Sequence, residues 1–583
     1  MLAAVFPSAR RLTGGLAAAA SFALLGPHAA RANTIDWTGG TSTAWATGSN
    51  WIGGIAPVND LTTDIASFNQ ASYTNQPNAG TTSIAGVQIG GSSAAFTLST
   101  TNLSIGSSGI SKASGSGAFT LGAVTLGATQ TWTNSSSSNF NINGAVGGSG
   151  VTLDLTSNGT TGMFSQNAKI TATSTTINLT AGSYWQIGSA TPGNDAFGGN
   201  TNTVNVANGA QMKIAWNAES YNNNWTFSGG TGLSSTSYSL RIDQAKLLGT
   251  ITLNSGDTVF SAFNRTNSEL RGQITGSGAL TFGMKDTTTG AGATTVYNTA
   301  NDWTGGLTIQ SNNNSTTLNL GASGVLTDTG SVTFNNVSTT NRSILDMKGF
   351  NETVDLLVSS GSSASSATGI VTNSGATQST LTLGGGSASS ATFTGVIQDG
   401  TSSIALTKSG SGTQILSGAN TYTGGTTISA GTLQAANTAA LGAGAVTVSG
   451  GTLSLNGASV QAVSGITDLS LTSGTIAFTL TSAVSFDSIS GTGSFTLSGG
   501  TIDLTNSVTD YASTYQILNF TSGGAVSGIT ISNYDTTSYT ASLSNTGVLS
   551  FTAVPEPSEY ALAIVGLLGV MIFVRRRVAR FGE

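Results

Sequence analysis

Cysteine is absent from the 583-residue chain, and its one histidine is His28. His28 lies in an N-terminal segment that reads as removable. The mature chain would then hold neither residue type, which excludes thiol nucleophiles, Ser-His-Asp triads, histidine general bases and His or Cys metal sites. No cofactor is expected. A long exported chain without disulfides must be held together by repetitive hydrogen bonding and packing. Charge is equally scarce: 18 basic and 24 acidic residues make only 7% of the chain, with a net charge of −6. A sparse, mildly acidic charge provides no basic surface for nucleic acid or an anionic membrane. Solubility falls to hydroxyls and amides.

Apolar residues are nevertheless too frequent for a disordered chain, at 38%, and they recur with a period of two. Phe119 to Leu126, Val151 to Leu155, Thr203 to Val206, Ser331 to Phe334, Ala445 to Val448 and Thr452 to Leu455 all alternate apolar and polar residues. Each predicts a short strand with one buried face, bounded by Gly, Asn or Ser turns. Such units cannot bury an apolar face alone, but stacked copies build a continuous interior. A β-sandwich or propeller meets the same local pattern, yet those folds close at their own size while this pattern runs on for hundreds of residues. The expected fold is all-β, a right-handed parallel β-helix of roughly 20–25 residues per rung, forming a rod on the order of 100 Å.

At the N-terminus, Arg10 and Arg11 precede an apolar run from Leu12 to Leu25, and Ala30-Arg31-Ala32 supplies small residues for cleavage. Residues 1–32 are therefore expected to be an export signal removed by signal peptidase. The expected organisation continues with an N-terminal cap and first rungs (33–110), a repetitive parallel β-helix (111–553) and a C-terminal tail (554–583). In the tail, Pro555-Glu556-Pro557 precedes an apolar stretch from Tyr560 to Val574 and then Arg575, Arg576 and Arg577. That stretch would make a helix of about 22 Å, shorter than a comfortable span of about 20 residues. Snorkelling arginines on the cytoplasmic side predict a short transmembrane helix, with the large N-terminal part outside the inner membrane.

The tail resembles the PEP-CTERM sorting signal, with Pro555, Glu556 and Pro557 as its motif and Arg575 to Arg577 as its basic stop. The resemblance implies a Gram-negative bacterium that makes extracellular polysaccharide. It also implies processing at the motif by an exosortase-type transpeptidase, so that the protein is membrane-anchored before sorting and then lies at the cell surface or in the extracellular matrix. Further in, Gly410-Ser-Gly-Thr-Gln-Ile-Leu-Ser-Gly-Ala-Asn-Thr-Tyr-Thr-Gly-Gly-Thr-Thr-Ile-Ser-Ala-Gly-Thr-Leu433 resembles the autotransporter-associated β-strand repeat. The likeness is strong over residues 392–457 and partial over 274–350, and it implies a parallel β-helix carried outside the cell. The C-terminus has no amphipathic strands of a translocating barrel, which departs from true autotransporters.

Two aromatic groups are candidate carbohydrate contacts. Trp37, Trp45 and Trp51 precede the regular repeats, and are read first as a cap on the open end of the solenoid and second as a sugar-stacking platform. Trp216 and Trp225 lie with Trp185 and Tyr221 in the least repetitive stretch, near Asp195 and Glu219, and are read first as local core packing and second as a ligand site. Of the acids, Asp346, Glu352 and Asp355 cluster beside Arg342 and Lys348, but no group forms a catalytic motif, and the chain is expected not to be an enzyme. The expected function is that of an exported structural or adhesive protein of the cell surface or matrix, with self-association along the rod. Its alternative is a protein that binds and retains exopolysaccharide, a β-helix lyase or hydrolase being the remotest reading.

Overall fold

The computed structural model describes residues 32–158, 161–188, 202–214, 220–229, 238–262, 267–283, 292–311, 314–336, 340–361, 369–386, 390–455, 457, 460–505, 507–555 and 557–578. The expected export signal therefore lies outside the described residues apart from Ala32.

These residues form an all-β parallel solenoid. Strands separated by one turn of the coil lie side by side rather than in hairpins. One sheet runs from Asn33–Asp36 to Ile274–Gly276, a second from Asn78–Gly80 to Leu357–Ser360, a third from Ser220–Tyr221 to Val396–Ile397, and a fourth takes over from Glu352–Val354. Nearly all of their pairings are parallel and in register, as in Thr176–Leu179 against Thr203–Val206. Register partners on successive rungs lie 20 positions apart at Thr427 and Thr447 and 27 apart at Thr176 and Thr203, so the period starts within the expected range and extends beyond it.

Alternation along each strand sends every second side chain into one continuous core that reaches from Trp37 to Leu549. Because the strands are in register, like side chains stack on like. Phe96 pairs with Phe119, Phe119 with Phe140 and Phe140 with Phe164. Their ring centroids are 5.0, 4.8 and 5.1 Å apart, matching the strand spacing of about 4.8 Å. Each such contact adds about 0.5–1.5 kcal/mol beyond area burial. Trp185, Met212 and Leu240 continue the same column.

Both ends of the coil add antiparallel contacts to the parallel ladder. At the first rung Trp37 makes an antiparallel bridge to Trp51. At the last, Tyr539–Leu543 pairs antiparallel with Val548–Ala553, which also pairs antiparallel with Tyr515–Gln516. Tyr511 stacks on Tyr539 at 4.2 Å, and Phe551 meets Tyr511 at 5.0 Å. Covering the terminal strands removes two open edges that would otherwise template aggregation.

Turns between strands pass so close to the previous rung that some positions admit no side chain. Gly276 has φ +106°, and a Cβ there would lie 2.1 Å from the carbonyl oxygen of Leu253. Gly276→Ala is expected to destabilise by about 1–3 kcal/mol, read as a lower urea midpoint. Phe140→Ala interrupts the ring column and is expected to cost about 3–5 kcal/mol in the same measurement. A shift below 1 kcal/mol would show that the rungs repack around the gap.

Candidate functional site

The N-terminal tryptophans are interior. Trp37, Trp45 and Trp51 are buried, with Trp51 edge-on to Trp37 at 5.0 Å and to Trp45 at 4.8 Å. Trp51 Nε1 donates to the Trp45 carbonyl at 2.7 Å and Trp37 Nε1 to the Asn75 carbonyl at 3.3 Å. Buried Asn50 ties the overlying loop: its Oδ1 accepts from the amides of Thr41 and Ser42, and its Nδ2 donates to the Ala44 carbonyl. Rings enclosed in this way have no free face on which a sugar could stack, so this group plugs the end of the core. Trp225 is equally buried, as are Trp185 and Tyr221, because each fills an inward position of its rung. Trp216, Asp195 and Glu219 lie outside the described residues.

Several acids are spent on corner amides. Asp346 accepts from the amide and hydroxyl of Ser374 on the next rung, at 2.9 and 2.6 Å, and pairs with Lys348 at 3.3 Å. Asp399 likewise holds the amide and hydroxyl of Thr423, and Asp468 those of Ser494. Each carboxylate caps N–H groups that a sharp corner leaves without a strand partner. Among the described residues no group of three or more acids could hold a metal ion. Asp346, Glu352 and Asp355, adjacent in sequence, thus serve different corners rather than one cleft; Ser331 donates to Asp355 at 3.4 Å.

Glu352 is the most perturbed acid. Its Oε2 accepts from the amides of Val325 and Leu326 at 3.0 and 3.2 Å, and its Oε1 from Thr353 at 3.1 Å. Burial nonetheless pushes its carboxyl up to about 7, the amide bonds opposing the shift and Asp328 reinforcing it. Lys112, fully enclosed, is lowered to about 8 by desolvation and donates to Asn134 Oδ1 and to the Ser138 carbonyl. Both are interior fastenings between rungs.

At the C-terminus, Pro555 follows the last strand, Glu556 lies outside the described residues, and Pro557 opens a helix, Pro557–Val578, of 22 residues. Proline suits the first helical position, where its missing N–H leaves no bond unmade. Arg575, Arg576 and Arg577 fall in its last turn. Among the described residues no helix is long and apolar enough to cross a membrane. The apolar part from Ala561 to Val574 spans about 21 Å against a hydrocarbon core of about 30 Å, and Glu559 and the arginines bound it. This overturns the expectation of a transmembrane helix and of a form anchored in the inner membrane before sorting. The helix side chains described, from Val565 to Arg576, are exposed.

With this geometry the chain is an all-β solenoid built from short stacked repeats. The family model described as Passenger-associated-transport-repeat matches residues 406–435. That segment supplies the strands Ile404–Lys408, Thr413–Leu416, Thr426–Ile428 and Thr432–Ala435, and it falls within the region read from sequence as the clearest repeat. No curated protein matches the chain.

What sequence reading missed is on the outside of these same strands. Thr407, Thr427 and Thr447 are consecutive partners across three rungs, a column visible in sequence only once the rungs are aligned.

Glu352 yields a pH prediction. Its folded carboxyl keeps the proton to a higher pH than the unfolded value of 4.5. The folded state therefore binds more protons between about pH 4.5 and 7, and stability falls as pH rises through that window, by on the order of 3 kcal/mol. Glu352→Gln cannot ionise. The urea midpoint of the parent should drop relative to this variant between pH 5 and 8, and parallel curves would refute the assignment.

Proposed function

We propose that the chain is a structural rod of a cell-surface or extracellular system, one that holds its side chains at a fixed spacing along a rigid axis. The observation that carries this reading is the unbroken core from Trp37 to Leu549, closed by aromatic caps at both ends. Such a body is long and stiffened by every rung-to-rung hydrogen bond. The repeat at residues 406–435 supports placement in an autotransporter-like surface system. Asp346, Asp399 and Asp468 are committed to capping corner amides, which favours a scaffold over an enzyme.

On this reading residues 1–32 direct export and are removed by signal peptidase, and Pro555, Glu556 and Pro557 are recognised by an exosortase-type transpeptidase. The motif suits recognition by sequence: Pro555 follows the final strand and is exposed. Replacing Pro555, Glu556 and Pro557 together by alanine should leave the folded rod unchanged and block processing. Intact mass of the protein recovered from its native cells reads the result. The parent should lack residues 1–32 and everything beyond the motif, while the variant keeps its tail; a parent that retains Arg575 to Arg577 would refute the sorting role.

A further inference from the structure

The fourth sheet presents two rows of threonine outward. In the first, Thr382, Thr407, Thr427, Thr447, Ser470 and Thr496 are successive register partners. In the second, Thr413, Thr432, Thr452, Thr475, Thr501 and Thr530 are. The strands Val446–Ser454 and Leu469–Ala477 belong to both rows and bend between them, where Ser449 and Gly450 are both exposed and the alternation breaks. The flanking residues point inward: Val446 and Val448 about Thr447, Leu469 and Leu471 about Ser470.

An outward column of the first sheet is closed on itself over part of its length. Asn178 donates to Asp154 at 2.7 Å and Asn205 to Asn178 at 2.8 Å, so that column is zipped from rung to rung. The threonine rows are not. Among the described residues, none of their hydroxyls makes a hydrogen bond within the chain. Nor does charge intervene near the middle of the first row: outward positions beside Thr407 and Thr447 are Ala405, Ser409, Ala445 and Ser449, and the amine of Lys408 is turned inward to the Gly410 carbonyl.

We propose that these rows are a docking track for an uncharged polysaccharide in an extended, β-linked conformation, lying along the rod axis with about one sugar per rung. The inference goes beyond the scaffold role and does not need it. A hydroxyl that is donor and acceptor at once, repeated every 4.8 Å or so, suits a polymer whose own hydroxyls repeat at close to the same spacing. A coiled α-linked chain cannot stay in step with it. Each bond contributes little against competing water, so binding depends on many rungs engaging together, and affinity should climb steeply with chain length. Absence of exposed aromatic rings on the track fits this mode, in which register replaces stacking.

The test uses the full chain with microcrystalline cellulose and with cello-oligosaccharides of increasing length, against amylose as the coiled control. The parent should be retained on cellulose, bind longer oligosaccharides more tightly, and ignore amylose. Replacing Thr407, Thr427 and Thr447 by valine keeps the β-branched shape that strands favour and should lower affinity by about 10–100-fold with the thermal melt unchanged. Thr427→Lys with Thr447→Lys, which obstructs the track with charge, should also abolish retention. Equal retention of parent and valine variant, or equal binding to amylose, overturns the proposal. A concentration-dependent dimer lost in the valine variant also overturns it, by assigning the rows to contact between copies, and ice shaping lost in that variant would assign them to ice. A rod that fails to bind cellulose but keeps its length and melt leaves the scaffold reading standing.

Discussion

Everything in this molecule depends on register between parallel strands one coil apart. Backbone hydrogen bonding fixes neighbouring rungs about 4.8 Å apart, and in-register pairing places residue on residue rather than residue on gap. The consequence is vertical columns. Inside, the column through Phe96, Phe119, Phe140 and Phe164 converts a backbone repeat into a stack of rings at nearly van der Waals separation. No rung is stable without its neighbour, because each buries its upper and lower surfaces only against the next. Ends therefore require a different solution: tryptophans and a single antiparallel bridge at the first rung, antiparallel strands with tyrosines at the last.

Charge is subordinate to this scheme. A coil with sharp corners leaves amides facing away from any strand partner, and those amides need acceptors. Asp346, Asp399 and Asp468 supply them, each reaching a serine or threonine on the following rung. Glu352 does the same from deeper inside, where burial pushes its carboxyl up to about 7. An acid used in this way clamps two rungs together. Its position follows the corner, which is why acids adjacent in sequence do not converge on one point in space.

How much of this was legible depends on which feature one follows. Strands such as Thr203–Val206 and Val446–Ser454 announce themselves by alternation, and the repeat around residues 406–435 by its Gly-bounded beat. Trp37, Trp45 and Trp51 were legible as a cap, because terminal units must differ from interior ones. As candidate sugar contacts they fail with Trp225 for a single reason: large rings are the most effective filling for an inward position, and sequence gives no sign of which side of the strand they take when alternation is short. The C-terminal cap went unread although Tyr511, Tyr515, Tyr534, Tyr539 and Phe551 are dense in aromatic character. The C-terminal helix was placed well, but its apolar part is too short for the membrane role that its composition suggested.

The outer columns were the least legible feature, and the reason is physical. Loops between strands vary in length, so partners such as Thr427 and Thr447, or Thr475 and Thr501, have no fixed separation in the chain. Only the hydrogen-bond ladder reveals that they coincide. The same register has two outcomes on the surface. Where long amides align, as at Asn178 and Asn205, the side chains span the gap between rungs and satisfy one another. A threonine is held stiffly at χ1 and reaches the next rung only in places, as Thr173 reaches Ser149 at 3.1 Å; on the fourth sheet the in-register threonines stand parallel and leave their hydroxyls to whatever lies outside. Whether outward side chains meet across the rung spacing therefore decides whether a face is closed or open, while the core beneath it stays the same.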